Sequence, residues 1–215
     1  MKQTIQPYQY YFIQREVEQL LNAYSSVNDP KTVQTVQALA TEKIHSVIQE
    51  ELPEITDFLA IVMNVTLTRA KAERALEELK SYVIPFEQPS KQQIDKIFRK
   101  VKKLKQPTWS AYDLREHTYV GFNDPGSQRK YLLYYEEGKL QGDYGSLSPT
   151  ITKGICAICQ KTSNVSLFLS TTKSGSDGTY TKKGNYICHD SDMCNHQLVQ
   201  LEPFYEFVHR VKKER

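Results

Sequence analysis

The first 84 residues carry apolar side chains at the three-and-four spacing of amphipathic helices, in four successive segments. Pro7 suits the first turn of the first helix, and Pro30 marks the break before the second. Pro53 can begin a third helix, and Thr68 can cap a fourth. Because each apolar stripe must be buried against another, the pattern predicts an antiparallel helical bundle over residues 1–84.

A domain boundary is predicted where Pro85 and Pro89 fall close together, because proline is poorly tolerated inside a helix. After the boundary, Ser90 and Gln93 have the spacing of a capping box. Apolar residues at helical spacing then predict a helix that ends before Pro107.

The polar face of this predicted helix holds a run of basic residues, namely Lys96, Arg99, Lys100, Lys102, Lys103 and Lys105. A solvated helix face explains such a run as well as a binding site does. The alternative is contact with an acidic partner, either ribosomal RNA or an acidic protein surface, which would weaken as salt rises. Direct binding of ribosomal RNA through residues 96–105 is therefore the second functional hypothesis.

The second half of the chain changes to the pattern of β-strands, with short aromatic-rich and apolar runs between turn signals. Strands are predicted at residues 119–122, 130–135, 140–144, 165–169 and 179–187. A final helix begins near Pro203 and is expected to pack on the sheet. The predicted fold class is α+β: an N-terminal helical bundle (1–84), followed by a mixed α/β domain (85–215) built around a four-cysteine zinc finger.

All four cysteines of the chain lie in a segment of about residues 154–196, as the pairs Cys156/Cys159 and Cys188/Cys194. Two close pairs separated by a hairpin-length insert favour one tetrahedral zinc site. His189 or His196 could replace one cysteine, since the second pair is wider than usual. Two disulfides or unpaired thiols are the other interpretations, and the lack of a secretory signal disfavours disulfides.

Four thiolates would leave no open position on the metal, so we expect a structural zinc ion and no enzymatic activity. A zinc enzyme would need an open position and a nearby base. The sequence also has no phosphate-binding loop and no H-E-x-x-H motif.

The composition is that of an ordinary globular protein: 215 residues, 39% hydrophobic, with a net charge of +3. No apolar run reaches the roughly 18 residues that span a membrane, and the N-terminus lacks an apolar signal core. We therefore expect a cytoplasmic protein. Nothing suggests a coiled coil or an exposed apolar seam, so a monomer is expected. The net charge is too small to identify nucleic acid as the partner.

Several sequence blocks together resemble one protein family. They include P-F-E-Q-P-S, F-R-K-V-K-K-L-K-Q-P, V-G-F-N-D, R-K-Y-L-L-Y-Y, K-G-I-C-A-I-C, S-N-V-S-L-F and S-D-G-T-Y-T-K-K-G-N-Y-I-C. In this order they are similar to the FusB-type proteins, the elongation-factor-G-binding proteins linked to fusidic acid resistance in Gram-positive bacteria. The resemblance runs nearly end to end and is strongest from Pro85 onward.

The resemblance implies a function in translation. Such a protein binds elongation factor G, mainly through its zinc domain, and frees the factor from a ribosome on which fusidic acid has trapped it. The four cysteines would be the zinc ligands, and the contact surface would include Ile155, Lys183 and Tyr186, with Lys182 beside them. Ile155 stands where relatives have Phe, which removes an aromatic from that surface. Phe122 stands where they have Trp, as a core substitution of similar character.

Overall fold

The computed structural model describes residues 3–48, 53–102, 104–174 and 179–212. The chain forms two compact units, Met1–Ile84 and Pro85–Arg215. Within the described ranges, no helix is both long enough and apolar enough to cross a membrane. The α+β fold class expected from the sequence is confirmed: helices come first, and an antiparallel sheet follows.

The described residues of the N-terminal unit form four helices: α1 (Pro7–Ser26), α2 (Pro30–Val47), α3 (Pro53–Val62) and α4 (Arg69–Lys80). They begin where the sequence signals predict. Asp29 caps α2 by accepting hydrogen bonds from the Lys31 and Thr32 amides, and Thr68 caps α4. The buried positions, such as Ile13, recur along one side of each helix and form the core of the unit.

The C-terminal unit contains the helices α5 (Lys91–Ile97), α6 (Ser191–Gln197) and α7 (Glu202–Val211). Its strands are β1 (Val120–Asp124), β2 (Arg129–Glu136), β3 (Lys139–Leu147), β4 (Thr152–Ile155), β5 (Thr162–Ser174) and β6 (Tyr180–Cys188). These strands form one antiparallel sheet in the order β1-β2-β3-β5-β4, and β6 pairs with β5. Neither β4 nor α6 was predicted.

The predicted basic helix is wrong beyond Ile97, where α5 ends. The chain then turns back, so that the Gln106 side chain donates to Asp95 Oδ1 at 3.0 Å. A continuous helix would hold these residues about 16 Å apart, at 1.5 Å per residue. Continuation would also align Lys96, Arg99 and Lys100 three and four residues apart, and like charges at that spacing destabilise a helix.

Helix α7 packs on the sheet through aromatic side chains, as the sequence predicts. The Phe204 ring stacks on Tyr119 with centroids 5.0 Å apart and meets the Tyr134 ring edge-on. In a separate cluster, Phe98 packs edge-on against Tyr131, and Phe122 stacks on the same Tyr131 ring. Phe122 therefore occupies a buried aromatic position in the core, as expected for a core substitution.

The long β5–β6 hairpin contains a bulge near its outer end. The pairing changes by one residue between Thr171 and Lys173. Thr172 is the extra residue; it is fully buried, and its hydroxyl donates to Thr181 O at 3.3 Å. Beyond the bulge, the pairing continues without interruption to Val165 and Cys188. The bulge therefore determines which residue of β5 lies opposite Cys188.

Candidate metal centre and neighbouring surface

The four cysteines come from three separate elements. Cys156 and Cys159 lie in the turn between β4 and β5, Cys188 ends β6, and Cys194 lies in α6. The turn is tight: the Gln160 amide donates to Cys156 O at 3.0 Å, and Gln160 has a left-handed φ of 57°. Such a turn directs both sulfurs of the first pair to the same side.

The four sulfur atoms all lie within 4.8 Å of one another, and all four cysteines are buried. Sγ of Cys156 is 3.7 Å from Sγ of Cys194, and Sγ of Cys159 is 3.8 Å from Sγ of Cys188. A tetrahedral zinc ion with Zn–S bonds of about 2.3 Å holds its sulfurs about 3.8 Å apart. A disulfide would need about 2.05 Å. The cysteines are therefore free thiols that could together hold one metal ion.

The backbone around Cys156 stabilises a negatively charged sulfur. The amides of Ile158 and Cys188 each donate to Cys156 Sγ at 3.3 Å. Hydrogen bonds from the neighbouring thiols, first that of Cys159, hold the pKa of Cys156 far below its ordinary value. The same contact raises the pKa of Cys159, because one thiolate disfavours a second beside it. A divalent cation would remove that repulsion.

Neither candidate histidine lies in the sulfur cluster, which contains only cysteines within the described part of the chain. His189 Nδ1 lies 3.0 Å from Ser166 Oγ, and His196 Nε2 lies 3.2 Å from Glu116 Oε2. The structure thus favours four cysteine ligands over a set in which a histidine replaces one of them.

Helix α6, which sequence reasoning missed, supplies Cys194. Asp190 caps it by accepting from the Asp192 and Met193 amides. Asn195 is fully buried; its Oδ1 accepts from the amides of Thr118 and Tyr119, and its Nδ2 donates to the carbonyls of Tyr119 and Ser191. These bonds fix α6 against the segment that leads into β1. Asp190 is the residue in the sequence that could have indicated the start of α6, because aspartate is a common helix N-cap, but an aspartate can equally cap a loop.

Lys130 is a buried cation near the sulfur cluster. It is 1% exposed, and its ammonium donates to His189 O at 2.8 Å and to Asn123 Oδ1 at 3.1 Å. Burial lowers the pKa of Lys130 to about 8, although negative charge at Cys194 opposes that shift. The ammonium thus binds the carbonyl oxygen of His189, the residue directly after Cys188, and its positive charge favours negative charge on the nearby sulfurs.

Replacement of Lys130 by methionine keeps the aliphatic stem and removes the ammonium. We expect metal affinity to fall about 10- to 100-fold, as is typical when a group that supports metal ligands is lost. Competition with a chromophoric chelator measures this affinity. Lys153→Met, on the exposed strand β4, is the matched control and should leave metal affinity unchanged. Equal affinities for the two variants would contradict the supporting role of Lys130.

The residues that the family resemblance indicates for partner contact lie beside the cysteines. Ile155 is 67% exposed and Tyr186 is 44% exposed, so Tyr186 is not a core residue. The Ala157 amide donates to Tyr186 O at 2.9 Å and joins the cysteine turn to β6. Lys182 and Lys183 are exposed on the same strand. Because strand residues alternate, Lys182 lies on the face of Tyr186 and Lys183 on the other.

The structure separates the basic residues of the 96–105 segment. Lys96 lies in the last turn of α5; Arg99 and Lys100 follow it, and all three line one groove on the sheet. Lys102 and Lys105 are exposed but do not line that groove. Lys103 lies outside the described residues.

The family model described as elongation factor G-binding protein, N-terminal, matches residues 4–87. A search among curated proteins found no significant match. The solved structure of the fusidic acid resistance protein FusC is 42% identical, covers 98% of both chains and has a TM-score of 0.92. This chain therefore belongs to the FusB-type family of elongation factor G-binding, fusidic acid resistance proteins.

Proposed function

We propose that this protein binds elongation factor G and promotes release of the factor from ribosomes on which fusidic acid has stalled it. The observation that carries the proposal is the exposure of Ile155 and Tyr186 beside the cysteine cluster, in a chain 42% identical to the resistance protein FusC. Exposed large apolar side chains on a rigid support are typical anchors of a protein interface. Protection would thus act on the drug's target and would involve no catalytic step.

One structural zinc ion belongs to this proposal. The sulfur–sulfur distances of 3.7 and 3.8 Å fit tetrahedral zinc. Four sulfur ligands would complete its coordination and leave no position for water or substrate. The ion would hold the turn of Cys156 and Cys159 against β6. It would thereby fix Ile155 and Tyr186 in the unbound protein, and such preorganisation lowers the entropic cost of binding.

Release requires more than tight binding. A protein that bound the stalled and the free conformations of the factor equally well would not shift the equilibrium between them. We therefore infer that the Ile155/Tyr186 surface has higher affinity for the conformation that the factor adopts off the ribosome.

Tyr186→Ala tests the proposal. The substitution removes an exposed anchor, so we expect the affinity for purified elongation factor G to fall about tenfold or more, as at an interface hot spot. Isothermal titration calorimetry measures the affinity. Sedimentation of ribosomes stalled with fusidic acid measures how much factor the protein releases, and this release should fall in parallel.

Tyr180→Ala is the matched control, because Tyr180 is an exposed tyrosine on the same strand, 68% exposed and six residues from Tyr186. It should preserve both binding and release. If the wild-type protein binds the factor but releases none of it, the release step is refuted. If Tyr186→Ala and Tyr180→Ala bind equally well, the contact surface lies elsewhere.

A further inference from the structure

A large groove crosses the sheet of the C-terminal unit, away from the sulfur cluster. Its volume is about 1260 Å³, and its walls come from the end of α5, from β2 and β3, and from the β5–β6 hairpin. Seven of the described residues that line it are basic: Lys96, Arg99, Lys100, Arg129, Lys139, Lys182 and Lys212. They are separated by up to 116 positions in sequence, from Lys96 to Lys212, and only Lys96, Arg99 and Lys100 belong to the local basic run of residues 96–105.

The groove contains little negative charge to offset these cations. Asp143 is the one carboxylate among its described lining residues. That carboxylate is 8% exposed and accepts a hydrogen bond of 2.7 Å from the Tyr134 hydroxyl. Burial raises its pKa, which disfavours the charged form. The groove therefore has a strongly positive field, and its concave shape concentrates that field on an anionic ligand.

Most of the cations are available to a ligand. Five of them form no ion pair within the described part of the chain: Lys96, Arg99, Lys100, Lys139 and Lys182. Lys212 is paired with Glu136. Arg129 is held with its guanidinium carbon 5.7 Å from the centroid of the Tyr144 ring, also in the groove. An arginine supported on an aromatic ring can stack on an unpaired base.

The lining of the groove favours nucleic acid over an acidic protein. Large exposed apolar side chains of the described residues, such as Ile155, Tyr186 and Met193, lie outside it. Protein interfaces depend on anchors of that kind. Gln93, Gln141, Ser146 and Thr171 instead add amide and hydroxyl groups beside the cations. Such groups hydrogen-bond to the ribose 2′-hydroxyl as well as to phosphate oxygens.

We infer that this groove binds single-stranded RNA, with the sugar–phosphate backbone along its lysines and a base against Arg129. The inference does not rest on the binding of elongation factor G. It also revises the hypothesis of a basic helix, since Lys102 and Lys105 lie outside the groove.

Fluorescence anisotropy with a labelled uridine oligoribonucleotide of about 12 nucleotides tests the inference on the full-length protein. With about five phosphate contacts, the logarithm of the association constant should fall with the logarithm of salt concentration at a slope near −3.5. The triple variant Lys96→Gln, Lys100→Gln, Lys139→Gln should weaken binding at least tenfold and reduce the slope by about 2. The matched control is Lys102→Gln, Lys105→Gln, Lys153→Gln, which removes the same charge outside the groove and should bind nearly as well as wild type.

Absence of RNA binding at low salt would overturn the inference. Equal weakening in the two triple variants would also overturn it, because it would show attraction by net charge alone. An oligodeoxyribonucleotide of the same sequence should bind several-fold more weakly, and equal affinity would refute the assignment to RNA. If the groove triple leaves RNA binding unchanged and instead weakens binding of purified elongation factor G, the groove belongs to a protein interface.

Discussion

Cys194→Ser is expected to abolish metal binding and to destabilise the C-terminal unit by on the order of 5 kcal/mol or more. Metal binding at four-ligand zinc sites supplies about 10–16 kcal/mol of apparent free energy, much of which is lost with one thiolate. Cys194 is fully buried in α6, 3.7 Å from Cys156. Without metal, α6 and the end of β6 lose the link that joins them to the turn between β4 and β5.

Metal analysis by inductively coupled plasma mass spectrometry and thermal unfolding measure the two effects. Wild type should contain one zinc ion per chain, and Cys194→Ser almost none. His196→Gln is the matched control, because it alters a nearby residue of α6 that the cysteine spacing also allows as a ligand. It should keep both metal and stability. Retention of one ion by Cys194→Ser, with unchanged unfolding, would refute the four-cysteine site.

Phe204→Ala should lower the free energy of unfolding by about 3–5 kcal/mol, the usual cost of emptying a buried aromatic position. Phe204 is 1% exposed and lies between α7 and the sheet. Its ring stacks on Tyr119 at 5.0 Å and meets Tyr134 edge-on at 5.4 Å. Both tyrosines are almost fully buried, so the protein can fill the cavity only by moving elements of the sheet.

Urea denaturation at equilibrium measures this loss, and the folded variant should still bind one metal ion. Retention of metal separates a packing defect from damage to the sulfur cluster. Phe204→Leu keeps most of the apolar volume and should cost much less than the alanine variant. If Phe204→Ala costs less than about 1 kcal/mol, α7 contributes little to the core of the sheet.

The elements that the sequence predicted correctly have strong local signals. Proline and capping residues such as Thr68 fix helix starts, and aromatic runs such as residues 130–135 specify strands. The spacing of the cysteine pairs indicated one metal site because short-range geometry limits where two sulfurs can point. These signals depend on neighbours in sequence, so a pattern analysis can detect them.

The failures depend on contacts between distant residues. Ile94, Phe98 and Val101 have helical spacing, yet the helix ends at Ile97, and Gln106 returns to bind Asp95. Helix α6 has no apolar repeat, since Cys194 and the polar Asn195 supply its buried side. Burial of Asn195 is possible only because partners near residue 119 satisfy its amide. Sequence spacing does not reveal such partners.

The bulge at Thr172 would give a bound metal ion a role in selecting the correct hairpin during folding. Near the tip of the β5–β6 hairpin, Lys173 pairs with Thr181. If Thr172 were not an extra residue, the same register would continue along both strands and place Cys188 opposite Ser166 instead of Val165. A slip of one residue turns Cys188 to the opposite face of the sheet, where it could not join the other three sulfurs. Only the correct register brings the four sulfurs together. Metal binding would therefore stabilise the correctly paired hairpin relative to misaligned ones.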